Sequence, residues 1–273
     1  MSVESRNNVH THGDGPGTVV FAHGFGCDQN MWRWVEPALR ANRRTVLFDL
    51  VGCGKSDIAS YDIEKYSTLH GYARDLIEII EAFATGPVIF VGHSVSAMIG
   101  VLAANARPGL ISAHVMIGPS PSYINEGAYQ GGFSRADIDS LLDTLEATYL
   151  GWSSAMAPTI MGAPDHPELG VELTNSFCQT DPDIAKRFAR VTFLSDHRAD
   201  VAKVIEPTLI LQSSEDFIAP PQVGQYLAAV MPGSHLEIIE NSGHCLHLSQ
   251  PQACVSAIET FLARTVDHAR DVC

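Results

Sequence analysis

The stretch Val88-Ile-Phe-Val-Gly-His-Ser-Val-Ser-Ala-Met-Ile-Gly100 decides how this chain is read. Val88 to Val91 are apolar and of strand length, Gly92-His93-Ser94 forms a turn, and a helix is predicted from there to about Asn105. A serine on so sharp a strand-to-helix turn holds its hydroxyl clear of both elements. The next backbone N–H, that of Val95, lies at a helix N-terminus, where unpaired donors and the positive end of the dipole gather. The pattern is a nucleophile elbow, G-x-S-x-G, with Ser96 in place of the last glycine. That position must be small because the helix start passes close to a neighbouring strand, and serine is nearly small enough. A strand–turn–helix junction with a capping serine reads the same way locally, so the rest of the chain has to decide.

Working outward, Thr18-Val-Val-Phe-Ala22 runs into His23-Gly24-Phe25-Gly26, and Thr45-Val-Leu-Phe-Asp-Leu50 into Gly52-Cys-Gly-Lys-Ser56. A P-loop reading of the second turn needs glycine at position 49, which is Asp49. Met31, Trp32, Val35 and Leu39 predict one helix; Tyr72, Leu76, Ile79, Ile80 and Phe83 predict another. Downstream strands are read at Ala113–Ile117, Thr208–Gln212 and His235–Ile239, with helices around Val223–Val230 and Val255–Leu262. Continuous apolar strands alternating with helices predict an α/β architecture, a mostly parallel sheet covered on both faces. Right-handed crossovers then bring the loops holding Phe25, Ser94 and Ser120 to one edge.

Between Ile117 and Thr208 the stretch is far too long for a loop, and its periodicity is helical. Ser134 with Asp137 opens one helix, with Ile138, Leu141, Leu142, Leu145 and Tyr149 on its stripe. Further segments carry Trp152, Met156 and Ile160, then Leu169, Leu173 and Phe177, then Ile184, Phe188 and Val191 after the Asp181-Pro182 start. The expected organisation is a core of residues 1–120 and 201–273 with a helical lid, 121–200, inserted in it.

The 17 basic and 31 acidic residues leave a net charge of −14, which argues against nucleic acid or an anionic membrane as partner. No apolar run approaches a membrane span, and Met1–Gly15 lacks the apolar core of a signal peptide. The six cysteines form no C-x-x-C pair and no cluster with histidine. They are read as free thiols in a reducing cytoplasm, with no metal and no cofactor expected.

A serine hydroxyl needs a base to take its proton, and an imidazole needs a carboxylate to hold its tautomer. Here Ser94 is followed by an acid after the Thr208–Gln212 strand and a histidine after the last strand. His244 is the expected base. Asp216 is the preferred acid, with Glu215 the alternative. The oxyanion donors are expected to be the backbone N–H groups of Val95 and Phe25. His23 is expected to brace the Phe25 loop and His93 to point away from the elbow.

Several longer stretches carry a resemblance: Gly24–Gln29, Asp49–Asp57, Val91–Gly100, Gly118–Tyr123, Tyr129–Phe133, Ser195–Arg198 and Gly243-His244. In these the chain resembles the RsbQ-type α/β-hydrolases, and it is similar to the plant karrikin and strigolactone receptor hydrolases, which share His-Ser-Val-Ser-Ala. Ser96 matches the plant form where the bacterial form has glycine. The resemblance implies an α/β-hydrolase fold with a four-helix lid over an apolar pocket lined by Phe25, Tyr123, Phe133, Trp152, Phe193 and Ile218. It implies one of two activities. The first is a serine hydrolase forming an acyl-enzyme on Ser94 from a small, mainly apolar ester or lactone. The second is a signalling protein that binds or slowly hydrolyses such a ligand and regulates a protein partner in a stress response, a phosphatase in the bacterial case.

Overall fold

The computed structural model describes residues 2–267. In chain order the strands are β1 (His10–His12), β2 (Thr18–Ala22), β3 (Arg44–Phe48), β4 (Val88–His93), β5 (Ile111–Ile117), β6 (Thr208–Glu215) and β7 (Ser234–Ser242). They form one seven-stranded sheet in the order β1-β3-β2-β4-β5-β6-β7, with every pairing parallel except that of β1 with β3. This is the expected α/β architecture, with the elbow strand β4 at its centre.

The sheet is buried on both faces, which is why its inner strands read as unbroken apolar runs. Alternate residues supply the two layers. Val20, Ala22, Phe48 and Phe90 face one helical layer, and Val19, Phe21, Ile89 and Val91 face the other. The helices are α1 (Val3–Arg6), α2 (Glu36–Arg40), α3 (Leu69–Phe83), α4 (Val95–Ala106), α5 (Arg135–Ala147), α6 (Tyr149–Met161), α7 (Pro167–Gln179), α8 (Pro182–Phe193), α9 (Arg198–Val201), α10 (Pro221–Val230), α11 (Leu246–Ser249) and α12 (Pro251–Leu262). Helices α3, α4 and α10 cover the first face, and α2 and α12 the second. Helix α4 is buried from Val95 to Ala104, so it is apolar all round and shows no amphipathic stripe.

Two local expectations are corrected. The single helix expected over Met31–Leu39 is a 3-10 turn, Gln29–Trp32, capped by Asp28, followed by the short α2. The polar N-terminal lead holds α1 and β1, and all three β1 residues are exposed, so no hydrophobic alternation marks the strand.

Helices α5 to α8 lie between β5 and β6 and pack into a third apolar cluster with Tyr123, Ile218, Cys245 and Leu248. Their starts are chemically marked. Ser134 and Asp137 close a capping box, and the Asp181 side chain accepts from the Asp183 and Ile184 N–H groups. The segments before and after these helices meet at a bridge between Ser122 and Asp196, and His197 N–H donates to the Pro121 carbonyl at 2.7 Å.

The Gly52–Ser56 turn wraps a carboxylate. Asp49 accepts from the N–H groups of Gln29 and Lys55, and a Cβ on Gly54 would lie 2.6 Å from its Oδ2. Five cysteines are free thiols; Cys273 lies outside the described residues. Among the described residues no helix is long and apolar enough to cross a membrane.

Candidate active site

Ser94 sits between β4 and α4 with φ +55° and ψ −123°, a conformation that costs a non-glycine residue about 1–3 kcal/mol. The surroundings enforce it. Ser94 N–H donates to the Ile117 carbonyl at 2.8 Å, tying the turn to the next strand. A Cβ on Gly92 would lie 2.8 Å from the Ala97 nitrogen, and one on Gly100 only 2.3 Å from the Phe90 ring. The helix therefore leaves the strand so tightly that only glycine fits at these two positions.

Ser96, which replaces the usual glycine, has a role of its own. Its hydroxyl donates to the His23 carbonyl at 2.5 Å and so ties the elbow helix to the loop after β2. His23 braces that loop as expected: its Nε2 accepts from Leu50 N–H at 3.0 Å, which leaves Nδ1–H to donate to the Gly24 carbonyl at 2.8 Å.

The side chains of Ser94, His244 and Asp216 meet at the C-terminal edge of the sheet. His244 Nε2 lies 2.8 Å from Ser94 Oγ, and its Nδ1 lies 2.7 Å from Asp216 Oδ2. An ionised Asp216 accepts from Nδ1–H, which leaves Nε2 unprotonated and facing the serine hydroxyl. The other oxygen, Oδ1, accepts from the Ile218 and Ala219 N–H groups at 2.8 and 3.0 Å, so the carboxylate is held from both sides. Glu215, the last residue of β6, is exposed and takes no part, whereas Asp216 in the loop just beyond it is buried. All three meeting residues are buried.

His93 is placed differently from expectation. Its ring packs 4.9 Å from that of His244, and its Nε2–H donates to the His244 carbonyl at 3.1 Å. Burial pushes its pKa well below the usual histidine value, with His247 and His244 adding to the effect. It therefore supports the His244 backbone as a neutral ring.

The backbone N–H groups of Phe25 and Val95 donate to no protein group among the described residues. The two segments that carry them abut, since a Cβ on Gly24 would lie 3.3 Å from Ser94 Cβ. A hydroxyl, an unprotonated imidazole, a buried carboxylate and two uncommitted donors are the parts that acyl transfer requires.

Above this edge is a small, mainly apolar cavity of about 30 Å³. Phe25, Tyr123, Trp152, Phe193 and Ile218 line it. Phe133 is not among the lining residues; it packs edge-on against Phe217 at 5.5 Å. Cys27, His93, Ile160, Leu173, Phe177, Thr192 and Cys245 complete the wall. Phe177, Leu173 and Ile160 already stood on predicted helical stripes, and only their common focus was hidden. Thr192 had a sequence signal: it follows Ile184 and Phe188 at intervals of four, a hydroxyl on an apolar stripe.

Phe25 is the hub of the wall, 5.7–6.3 Å from the rings of Phe188, Phe177, Trp152 and Phe193. Burial raises the Tyr123 hydroxyl pKa, while the nearby Ser94 hydroxyl acts the other way.

A profile of the alpha/beta hydrolase family matches residues 19–257. A karrikin insensitive 2 receptor CA of Petunia hybrida is 39% identical over 257 residues, covering 94% of this chain and 95% of the relative. Strigolactone esterase D14 of Arabidopsis thaliana is 35% identical over 258 residues, covering 94% and 96%. The solved structure of olei00960, a hydrolase from Oleispira antarctica, matches with a TM-score of 0.93 at 43% identity, covering 96% of each chain.

Proposed function

This chain belongs to the alpha/beta hydrolase family, and we propose that it is a serine hydrolase for a small, mainly apolar ester or lactone. The observation that carries this reading is the buried relay from Asp216 through His244 to Ser94, with distances of 2.7 and 2.8 Å. In the proposed reaction His244 Nε2 takes the Ser94 proton as Oγ attacks the carbonyl carbon. The negative charge that develops on the carbonyl oxygen is met by the N–H groups of Phe25 and Val95. His244 then protonates the leaving alcohol. Water, activated by the same imidazole, releases the acid from the acyl-serine.

Residues 121–200 act as the lid in this proposal. Its aromatic wall excludes water and selects an apolar acyl or alcohol group. Because the cavity is so small, entry of an ester requires lid side chains to move apart.

The test is Ser94→Ala. The variant is expected to lose at least 10⁴-fold in kcat toward 4-nitrophenyl acetate and butanoate, and to resist labelling by a fluorophosphonate, while keeping its fold by circular dichroism. Labelling at the wild-type rate would reject Ser94 as nucleophile.

A second reading is a ligand sensor with slow turnover. One observation favours it: relatives of similar identity include both a named receptor and a named esterase. A single-turnover burst followed by steady-state turnover slower than about one per minute would favour the sensor; sustained turnover near the usual enzymatic range of about 10 s⁻¹ would favour the hydrolase.

A further inference from the structure

Three groups in the wall of that cavity, His93 Nδ1, Tyr123 Oη and Thr192 Oγ1, are buried without a hydrogen-bond partner among the described residues, and Thr192 is the one of the three carried by helices α5 to α8. Thr192 lies on α8, is 1% exposed and lines the cavity, yet its hydroxyl has no partner among the described residues. A threonine in a helix ordinarily gives its hydroxyl to the carbonyl one turn back. Thr174 in the neighbouring lid helix does so, donating to the Gly170 carbonyl at 2.9 Å. Ser153 and Thr144 do the same. Thr192 is the exception among them, and it is the one that borders the cavity. Its own carbonyl is engaged by Ser195, through both the N–H and the hydroxyl. The turn is therefore well bonded around a hydroxyl that is not.

A buried hydroxyl without a partner is unfavourable in the free protein and becomes favourable when a ligand supplies an acceptor. The position also stands apart from the reacting atoms, since Thr192 is carried by the inserted helices whereas Ser94, His244 and Asp216 belong to the sheet edge. On the hydrolase reading, we propose that Thr192 is a specificity residue. It donates to an oxygen that the substrate carries in addition to its scissile carboxyl group. The substrate class is thereby narrowed from plain hydrocarbon esters to small esters or lactones bearing a remote ether, carbonyl or hydroxyl oxygen. A site built to hydrogen-bond such an oxygen discriminates against the analogue lacking it, because the site's own group is then left unpaired.

The experiment pairs esters in which one CH₂ is replaced by oxygen: 4-nitrophenyl pentanoate with 3-methoxypropanoate, and hexanoate with 4-methoxybutanoate. Each is measured on the wild type, Thr192→Val and Thr192→Ser. For at least one pair the ratio of kcat/KM, oxygen-bearing over hydrocarbon, is expected to fall about fivefold to tenfold in Thr192→Val and to be kept in Thr192→Ser. The comparison between proteins cancels the intrinsic reactivity of each ester.

Thr192→Val is also expected to raise the Tm of the free protein by about 2 °C, because an unpaired hydroxyl gives way to a methyl group. Ratios unchanged in Thr192→Val for both pairs, or a lowered Tm, would overturn the assignment. Should no ester be turned over at all, the hydrolase reading fails and the Thr192 assignment is judged separately. Calorimetric Kd values for the pentanoate and hexanoate methyl esters and their methoxy counterparts on Ser94→Ala protein, with and without Thr192→Val, must then show the same shift.

Discussion

The sheet edge and the inserted helices build one site by opposite means. At the edge, backbone does the positioning. Ser94 is held by Ile117 and by glycines that admit no side chain, Asp216 by two N–H groups, and the His244 N–H by the Ile160 carbonyl at 2.8 Å. In the inserted helices the wall is made of side chains. Trp152 stacks on Phe177 at 5.7 Å, and Phe25 touches three of the four inserted helices through its ring. Backbone positions cannot be changed by substitution without strain, whereas an aromatic wall can be reshaped one side chain at a time. The division suits a hydrolase whose chemistry is constant and whose specificity varies.

The largest test of this contrast lies where the two regions touch through their backbones. Gly162 and Gly243 face each other, and Ala163 N–H donates to the Ser242 carbonyl at 3.2 Å. A Cβ on Gly243, which has φ +111°, would lie 1.9 Å from the Met161 carbonyl oxygen. Gly243→Ala is therefore expected to cost about 3 kcal/mol of stability in urea unfolding and to lower kcat at least tenfold by displacing His244. Wild-type kcat in a folded Gly243→Ala protein would show that this junction does not position His244.

A smaller effect is expected from the wall. Trp152→Ala enlarges the cavity without touching the relay, so preference should shift about tenfold in kcat/KM from acetate toward hexanoate esters, with kcat for acetate changed less than threefold. Equal losses on both esters would mean that the wall also holds the sheet edge in place.

The smallest effect separates the regions by pH. The sheet side buries two imidazoles whose ring nitrogens lack partners, His114 and His247; burial lowers their pKa values to about 4 and about 3. Below the ordinary histidine pKa of about 6.5 the unfolded chain takes up these protons and the folded protein does not, so stability falls as pH drops from there toward 4. Between pH 7.5 and 6 the loss is about 0.8 kcal/mol per imidazole. His247→Leu should remove its share of that slope in urea unfolding at the two pH values. An unchanged slope would mean that His247 titrates alike in both states.

Much of this was legible in the chain before folding. Apolar runs of strand length, the alternation with helices, the capping box at Ser134 and the small residues around Ser94 are local signals, because each follows from steric and hydrogen-bonding demands within a few residues. They were enough for the sheet, the elbow and the order Ser94, Asp216, His244. Local signals were silent about β1, an exposed three-residue edge strand, and about the choice between Asp216 and Glu215, which depends on how the loop after β6 turns toward the loop after β7. The family resemblance, for its part, put Phe133 in the wall and left Thr192 out. A stripe marks which face of a helix is buried but not what it is buried against, and that depends on how helices far apart in sequence cross above the sheet.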